Sequence, residues 1–245
     1  MIQPASAAVL RLASYNIQKC IGLDLRRQPR RILNVLEGLG AEVVLLQEAD
    51  KRLPPRPAAL PHFVLEEAGW QVADLGGAGS LGWHGNAVIW QHEGVVLRGI
   101  GHITLPGLEP RGAVLVEFDT PLGPLRVIGA HLGLLTRFRR QQVLHMVQEL
   151  AELPDMATVV AGDFNDWSNG KMLERWAPEL TFLPARPSFP SPRPMGALDR
   201  IALGRGLAAT AHGVYDARPA HIASDHLPVW ADLVARRPSP DTFSG

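Results

Sequence analysis

The hydrophobic positions along the chain predict two long helices and many short strands. Apolar side chains recur with helical spacing between Pro29 and Leu39, and again from Thr136, a predicted N-cap, to about Leu153. Apolar runs typical of strands lie at residues 9–17, 43–47, 113–119, 125–131, 158–161, 201–203, 209–214 and 228–234. The run 43–47 is continuous rather than alternating, which indicates a strand buried on both faces.

Two pairs of neighbouring runs have the pattern of hairpins. Residues 85–91 and 94–98 are separated by a short turn, and residues 113–119 and 125–131 are separated by Thr-Pro-Leu-Gly-Pro. Many strands with only two or three long helices exclude a simple βαβ series, and hairpins mixed with helical crossovers indicate another arrangement. We therefore predict an α+β sandwich with sheets inside and helices outside.

The chain has 245 residues, enough for one sizeable core, and it contains no internal repeat and no evident linker. We predict a single domain at residues 9–235 with flexible tails at 1–8 and 236–245. The proline-rich segments 52–61 and 183–196 are predicted to be loops.

Charge and cysteine usage narrow the class of protein. The chain has 24 basic and 24 acidic residues, so no global positive field draws it to nucleic acid. The single cysteine, Cys20, excludes an internal disulfide and fits a reducing compartment, for which we predict the cytoplasm. No apolar stretch approaches the ~20 residues that a membrane-spanning helix needs.

Polar side chains stand repeatedly where a predicted strand ends or begins. They are Asn16, Glu48, His131, Asp163, Asn165, Asp199 and the triplet Ser224-Asp225-His226. Apolar strand formers should not repeatedly end in carboxylates, amides and imidazoles unless these side chains meet. If they meet, they form an acidic, histidine-flanked pocket suited to a divalent cation and a phosphate, which indicates phosphoester hydrolysis.

The acidic members of this set each admit a structural alternative. Asp163 and Asn165 project from the same face of an extended segment and can hold a water; alternatively, they form a Gly-Asp turn followed by a left-handed Asn. Glu48 is a candidate hard-cation ligand, or marks where its strand reaches solvent. Asp199 can orient a histidine ring, or can pair with Arg200.

The histidine and arginine candidates likewise each admit a functional and a structural interpretation. A histidine near carboxylates, such as His226 beside Asp225, can stay protonated and neutralise phosphoryl charge, whereas a strand-end His131 taken alone is more often structural. Arg111 can bind a phosphate oxygen or lie in solvent. The arginines at 137, 139 and 140 are predicted to form a solvated helix face.

The ordered motifs of the chain resemble the endonuclease/exonuclease/phosphatase superfamily, which includes DNase I. The motifs are Tyr15-Asn16-Ile17, Gln47-Glu48, Gly85-Asn86-Ala87, His131-Leu132, Gly162-Asp163-Phe164-Asn165, Leu198-Asp199-Arg200-Ile201 and Ser224-Asp225-His226-Leu227-Pro228-Val229. The resemblance implies a four-layered α/β sandwich with two central mixed, largely antiparallel sheets and a Mg²⁺- or Mn²⁺-dependent site. It is strongest to small bacterial stand-alone members.

The resemblance also implies a role for each residue. Asn16 and Glu48 hold the metal with Asp225 near it, Asp163 activates water, and Asn165 positions water and phosphate. The remaining roles are phosphate binding by His226 held by Asp199, phosphate contact or leaving-group protonation by His131, and phosphate binding by Arg111 and Asn86.

The substrate stays open at this point. Nucleic acid, a phospholipid head group and a small phosphoester are all compatible with the motifs, and a non-catalytic binding module is a further alternative. Only Tyr15 and Tyr215 are present, so the pocket tyrosine of the abasic-site endonucleases has no clear counterpart. No protein partner can be inferred.

Overall fold

Two six-stranded sheets form the centre of the computed structural model, which describes residues 8–51, 55–77, 79–107 and 111–236. The strands are β1 (Leu10–Asn16), β2 (Val43–Gln47), β3 (Gln71–Val72), β4 (Ala87–Trp90), β5 (Val96–Leu105), β6 (Arg111–Thr120), β7 (Gly123–His131), β8 (Ala157–Asp163), β9 (Thr181–Phe182), β10 (Asp199–Leu203), β11 (Leu207–Val214) and β12 (Val229–Ala235). The first sheet has the order β11-β12-β1-β2-β4-β3, and the second has the order β5-β6-β7-β8-β10-β9.

Within the described residues, five α-helices cover the outer faces of the two sheets, and a short 3-10 helix spans Gln18–Cys20. The α-helices are α1 (Pro29–Leu39), α2 (His62–Glu67), α3 (Thr136–Ala151), α4 (Lys171–Trp176) and α5 (Ala220–Ala223). Buried residues of α1, α2 and α5 share a core with the first sheet, while those of α3 and α4 share another with the second sheet. A third core fills the space between the sheets. The predicted four-layered α+β sandwich is therefore confirmed.

Strand β2 shows how the sequence pattern produces these layers. Val43 and Leu45 belong to the core between the sheets, whereas Val44 and Leu46 face the helices. Successive side chains of a strand point to opposite faces, so a strand covered on both sides is apolar on both faces, as it is here from Val43 to Leu46. All five residues of β2 are buried, as predicted.

The predicted hairpin between residues 85–91 and 94–98 is wrong, because the chain changes sheets there. Strand β4 pairs with β2 and β3 in the first sheet, whereas β5 pairs with β6 in the second. Trp90 and Val95 are both buried between the sheets, and the Trp90 ring packs edge-on against Phe118 at 5.2 Å. Burial of these side chains thus favours a crossing of the core over a local turn.

The start of α3 also differs from the prediction. Leu135, not Thr136, occupies the N-cap position, and no side chain caps the helix by a hydrogen bond. Thr136 is the first residue of the helix. Arg139 is buried rather than solvated: its guanidinium donates to the carbonyl oxygens of Gly133 and Leu134 and to Thr136 Oγ1. This arginine therefore fixes the turn between β7 and α3.

Other local predictions agree with the structure. Residues 183–196 and the described part of 52–61 contain no helix or strand. The single-domain assignment stays a prediction, and most of the predicted tails lies outside the described residues. No helix in the described ranges is long and apolar enough to cross a membrane.

Gly162 is required by the pairing of β8 with β7. Its φ is +156°, and an added Cβ would lie 1.8 Å from the carbonyl oxygen of Ala130. Because the clash is with backbone of the neighbouring strand, we expect Gly162→Ala to lower the free energy of unfolding by more than about 3 kcal/mol. Denaturant unfolding measures this loss. Gly101→Ala is the control, since its Cβ would make an ordinary 3.7 Å contact with Leu115; equal stability of the two variants would contradict the prediction.

Candidate active site

The strand directions bring the predicted polar residues to one end of the sandwich. Strands β1 and β2 are parallel, as are β7 and β8. Asn16, His131 and Asp163 are the last residues of β1, β7 and β8, and Glu48 directly follows β2. Strand β10 is antiparallel to β8 and begins with Asp199, which pairs directly with Asp163. Strand β12 is antiparallel to β1, and the triplet 224–226 just before it therefore reaches the same end.

Asp163 lies at the centre of this arrangement and is 2% exposed. Its Oδ2 accepts a hydrogen bond from Asn16 Nδ2 at 3.1 Å, and its Oδ1 accepts one from the backbone N–H of Asn165 at 3.0 Å. The same Oδ2 lies 3.5 Å from His131 Nε2 and 3.6 Å from His226 Nε2. One buried carboxylate therefore connects four other predicted site residues.

His226 is held by a buried carboxylate on its far side. Its Nδ1 lies 2.8 Å from Asp199 Oδ2, which also accepts a hydrogen bond from Ser188 Oγ at 2.5 Å. Burial lowers the pKa of His226, but the charge and hydrogen bond of Asp199, with the charge of Asp163, outweigh it and raise the pKa to about 10. His226 is thus an imidazolium at neutral pH, and Asp199 holds this ring instead of pairing with Arg200.

His131 is electrostatically the opposite of His226. Burial lowers its pKa, and the positive charge of Arg111 adds to this effect, while Asp163 and Glu48 only partly offset it. His131 is therefore neutral at neutral pH. A buried carboxylate between one cationic and one neutral imidazole is typical of a site whose titrating groups have separate roles.

Glu48 lies at the rim of the same site, in a left-handed conformation with φ 52°. Burial would raise its pKa, but the hydrogen bond and ion pair with Lys19 Nζ, together with the positive charge of His226, lower it. Glu48 is therefore ionised and already accepts a cation, the Lys19 ammonium. Neighbouring Asp225 is half-buried, and its pKa is raised by burial and by Glu48.

Two oxygen-rich groupings at this end can be compared as metal sites. Ligand atoms of Asp163, Asp199 and His226 lie within 4.8 Å of one another, which satisfies the distance requirement for a metal. Within this grouping, His226 Nδ1 and Asp199 Oδ2 already contact each other at 2.8 Å. Glu48, with the Asn16 amide oxygen, offers the hard oxygen donors that Mg²⁺ and Mn²⁺ prefer.

The remaining predicted residues line or support the site. Asn165 has the left-handed φ of 51° that its structural alternative required, and its Nδ2 donates to the Leu132 carbonyl oxygen at 2.9 Å. Asn86 is buried, and its Nδ2 donates to the Gly112 carbonyl oxygen at 2.9 Å. Arg111 lines a groove of about 370 Å³ together with Glu48 and His131.

The structure adds three residues that sequence reasoning missed. Lys19 pairs with Glu48, Ser188 supports Asp199, and the Phe189 ring lies 4.8 Å from the ring of His226. Lys19 lies two residues after the motif Tyr15-Asn16-Ile17, so its position was a usable signal. Ser188 and Phe189 lie in the proline-rich loop, where no periodicity indicates which side chains turn inward.

The sandwich and the polar residues at one end of it define the class of phosphoesterase folds to which DNase I belongs. The sequence model of the Endonuclease/Exonuclease/phosphatase family matches residues 13–226, and the chain belongs to this family. No functionally curated protein matches the sequence.

Solved structures show the same fold. An endonuclease/exonuclease/phosphatase from Beutenbergia cavernae is 21% identical, with a TM-score of 0.71 over 93% of this chain and 72% of that one. D. rerio TDP2, complexed with a single-strand DNA product, is 16% identical, with a TM-score of 0.73 over 92% and 99%. ANGEL2, a 2′,3′-cyclic phosphatase in complex with adenosine-2′,3′-vanadate, is 14% identical, with a TM-score of 0.67 over 95% and 97%. At these identities the likeness concerns the fold alone.

Proposed function

We propose that the protein is a Mg²⁺- or Mn²⁺-dependent phosphodiesterase that hydrolyses its substrate by in-line attack of water on phosphorus. The observation that carries the proposal is the buried Asp163 carboxylate placed between a cationic His226 and a neutral His131. Such a grouping has no evident structural purpose, because burying charges and polar networks is costly unless every group is used.

Asp163 is the residue that we assign to the attacking water. Hydrogen bonds from Asn16 and from the Asn165 N–H fix its carboxylate, so the oxygen that accepts the water proton is already oriented. Asn165 itself is held through Leu132 and keeps the backbone turn that presents its N–H to Asp163.

His226 and Arg111 are the groups that we assign to the phosphoryl oxygens. His226 carries a fixed positive charge because Asp199 holds its Nδ1, which leaves Nε2 facing the centre of the site. Donors oriented before the reaction stabilise developing charge without reorganisation. Asn86, whose amide nitrogen is bonded to Gly112, supports the strand that begins with Arg111.

His131 is better suited to hydrogen bonding than to acid catalysis. Its lowered pKa leaves little of the protonated form at neutral pH, so we assign it to contact with the phosphate or the leaving oxygen. A phosphodiester carries one negative charge, and His226 and Arg111 are the cationic side chains that we assign to its phosphoryl oxygens.

Glu48 and Asn16 are the residues that we assign to the metal, with Asp225 nearby. When bound, Mg²⁺ or Mn²⁺ would supply Lewis-acid stabilisation of the phosphoryl and leaving oxygens. Lys19 holds Glu48 ionised, so the carboxylate is ready to bind a cation without first losing a proton.

Metal titration tests this assignment. We expect turnover of bis(p-nitrophenyl) phosphate to require Mg²⁺ or Mn²⁺ and to stop with chelator. In Glu48→Gln the metal concentration for half-maximal activity should rise by roughly 10–100-fold, because an ionised ligand becomes neutral. Glu37→Gln, on the exposed face of α1, is the matched control. An unchanged metal requirement in Glu48→Gln would remove this residue from the metal site, and metal-independent turnover would reject the proposal.

A further inference from the structure

The large apolar side chains that are most exposed lie at the end of the sandwich that carries the site. Among the described residues they are Leu25 at 87%, Met195 at 68%, Leu134 at 67% and Trp167 at 61%. Scattered exposed hydrophobics are ordinary on a protein surface. Here, however, four separate loops each contribute one of them. We call these four residues the apolar rim.

Direct contacts connect three of the four rim residues to the site. Leu134 lines the groove that Glu48 and His131 share. The Trp167 ring packs edge-on against Phe189 at 6.1 Å, and Phe189 lies on His226. Met195 donates its backbone N–H to the carbonyl oxygen of the same Phe189 at 2.8 Å. The rim therefore borders the opening through which a substrate must approach.

Leu25 joins the rim from the loop that follows β1. The neighbouring Leu23 N–H donates to the carbonyl oxygen of Ile222 at 3.1 Å, and Ile222 leads into the triplet that ends at His226. Leu25 has a left-handed φ of 59°, which leucine rarely adopts. An exposed leucine held in a strained conformation gains nothing from the chain's own packing, and such strain is typical of functional surfaces.

The charges around the apolar rim are mostly positive. Arg26, Arg27 and Arg193 are exposed in the same loops, and Arg137 is exposed in the first turn of α3. The acidic Asp24 in the first of these loops is bonded to Arg31, so its charge is already compensated. The exposed charges that border the rim are therefore mainly arginines, while the acidic groups of the site lie deeper, with Asp163 and Asp199 buried. Leucine, tryptophan and methionine mixed with arginine are typical of surfaces that enter the head-group region of an anionic bilayer.

We infer that the apolar rim docks the protein on an anionic phospholipid surface and presents a head-group phosphodiester to Asp163 and His226. Three of the four rim residues are aliphatic, whereas a surface for single-stranded nucleic acid would use planar side chains that stack on bases. The identity of the substrate rests on the proposed hydrolytic function, but docking on the bilayer does not.

Vesicle co-sedimentation tests the docking directly. The wild-type protein should bind vesicles of phosphatidylcholine with phosphatidylglycerol, and bind more weakly at high salt or to phosphatidylcholine alone. The double variant Leu25→Asn, Met195→Ser should lose binding by roughly tenfold or more, because two apolar side chains no longer enter the bilayer. Asparagine accepts left-handed angles, so this variant should fold.

The matched control is Ile100→Ser with Leu144→Ser, which removes two exposed hydrophobics from β5 and α3. This control should bind vesicles like the wild type, and both double variants should hydrolyse a soluble diester at the wild-type rate.

Docking is rejected if wild-type protein does not bind vesicles or if the rim variant binds them equally well. Loss of oligonucleotide binding in the rim variant, with vesicle binding unchanged, would assign the surface to nucleic acid instead. Vesicle binding without hydrolysis of any diester would reject the proposed function and leave the docking surface intact.

Discussion

Asp163→Asn is expected to lower kcat/KM for a phosphodiester by on the order of 10³-fold, with the fold retained. The substitution keeps the size of the side chain and an oxygen that can accept from the Asn165 N–H. It removes the negative charge that takes the proton of the attacking water, and general-base catalysis of this kind contributes ~10²–10⁴-fold. It also removes one of the charges that keep His226 cationic. Both changes act on the transition state more than on substrate binding.

Steady-state kinetics on a soluble diester, with thermal unfolding of each variant, measures this effect. Asp232→Asn is the matched control, because Asp232 pairs with Arg11 near the opposite end of β1 and should leave turnover unchanged. A decrease in kcat at similar KM would support the assigned role. Activity within about tenfold of the wild type would exclude Asp163 as the base, since even modest general-base contributions exceed that factor.

The fold could be predicted where the pattern of apolar residues in a segment directly reflects which of its faces are covered. The continuous apolar run of β2 indicates burial on both faces, and the structure covers it with helices on one side and the second sheet on the other. The change of sheets between β4 and β5 could not be predicted, because a short turn joins two sheets as readily as two neighbouring strands. Only the packing of Trp90 against Phe118 decides between them.

The clustering of the candidate site residues at one end of the sandwich could be predicted for a related reason. Strand ends are marked by an abrupt change from apolar to polar residues, and Asp163 and His131 stand at such changes in parallel neighbours. Residues that reach the site from irregular segments carry no such mark. Ser188 and Phe189 are of this kind, and Arg139 has the helical position of a solvated residue yet bonds to three oxygens at the helix start.

Asp199→Asn is expected to move the alkaline limb of the pH–activity profile to lower pH by at least about two pH units. In the wild type, His226 stays protonated up to about pH 10, because the charge and hydrogen bond of Asp199 exceed the effect of burial. Without that charge, burial would lower the pKa of His226 back toward or below its ordinary value of 6.5. Activity at pH 8 should then fall by roughly 10²-fold or more, with partial recovery at pH 6, where the imidazolium is again populated.

The pH dependence of the unfolding free energy provides an independent test of the raised pKa of His226. A histidine whose pKa is raised by folding stabilises the folded state fully below pH 6.5, and this contribution disappears as the pH rises through about 10. The unfolding free energy of the wild type should therefore decrease over this range, and the decrease should be smaller in Asp199→Asn. Ser188→Ala is the matched control, because it removes a hydrogen bond to the same Asp199 oxygen but no charge. Two outcomes would contradict the prediction: an equal shift of the alkaline limb in Ser188→Ala and Asp199→Asn, or no shift in either variant. In both cases the charge of Asp199 would not be what keeps His226 cationic. The phosphate-binding role of His226 would then lose its physical basis.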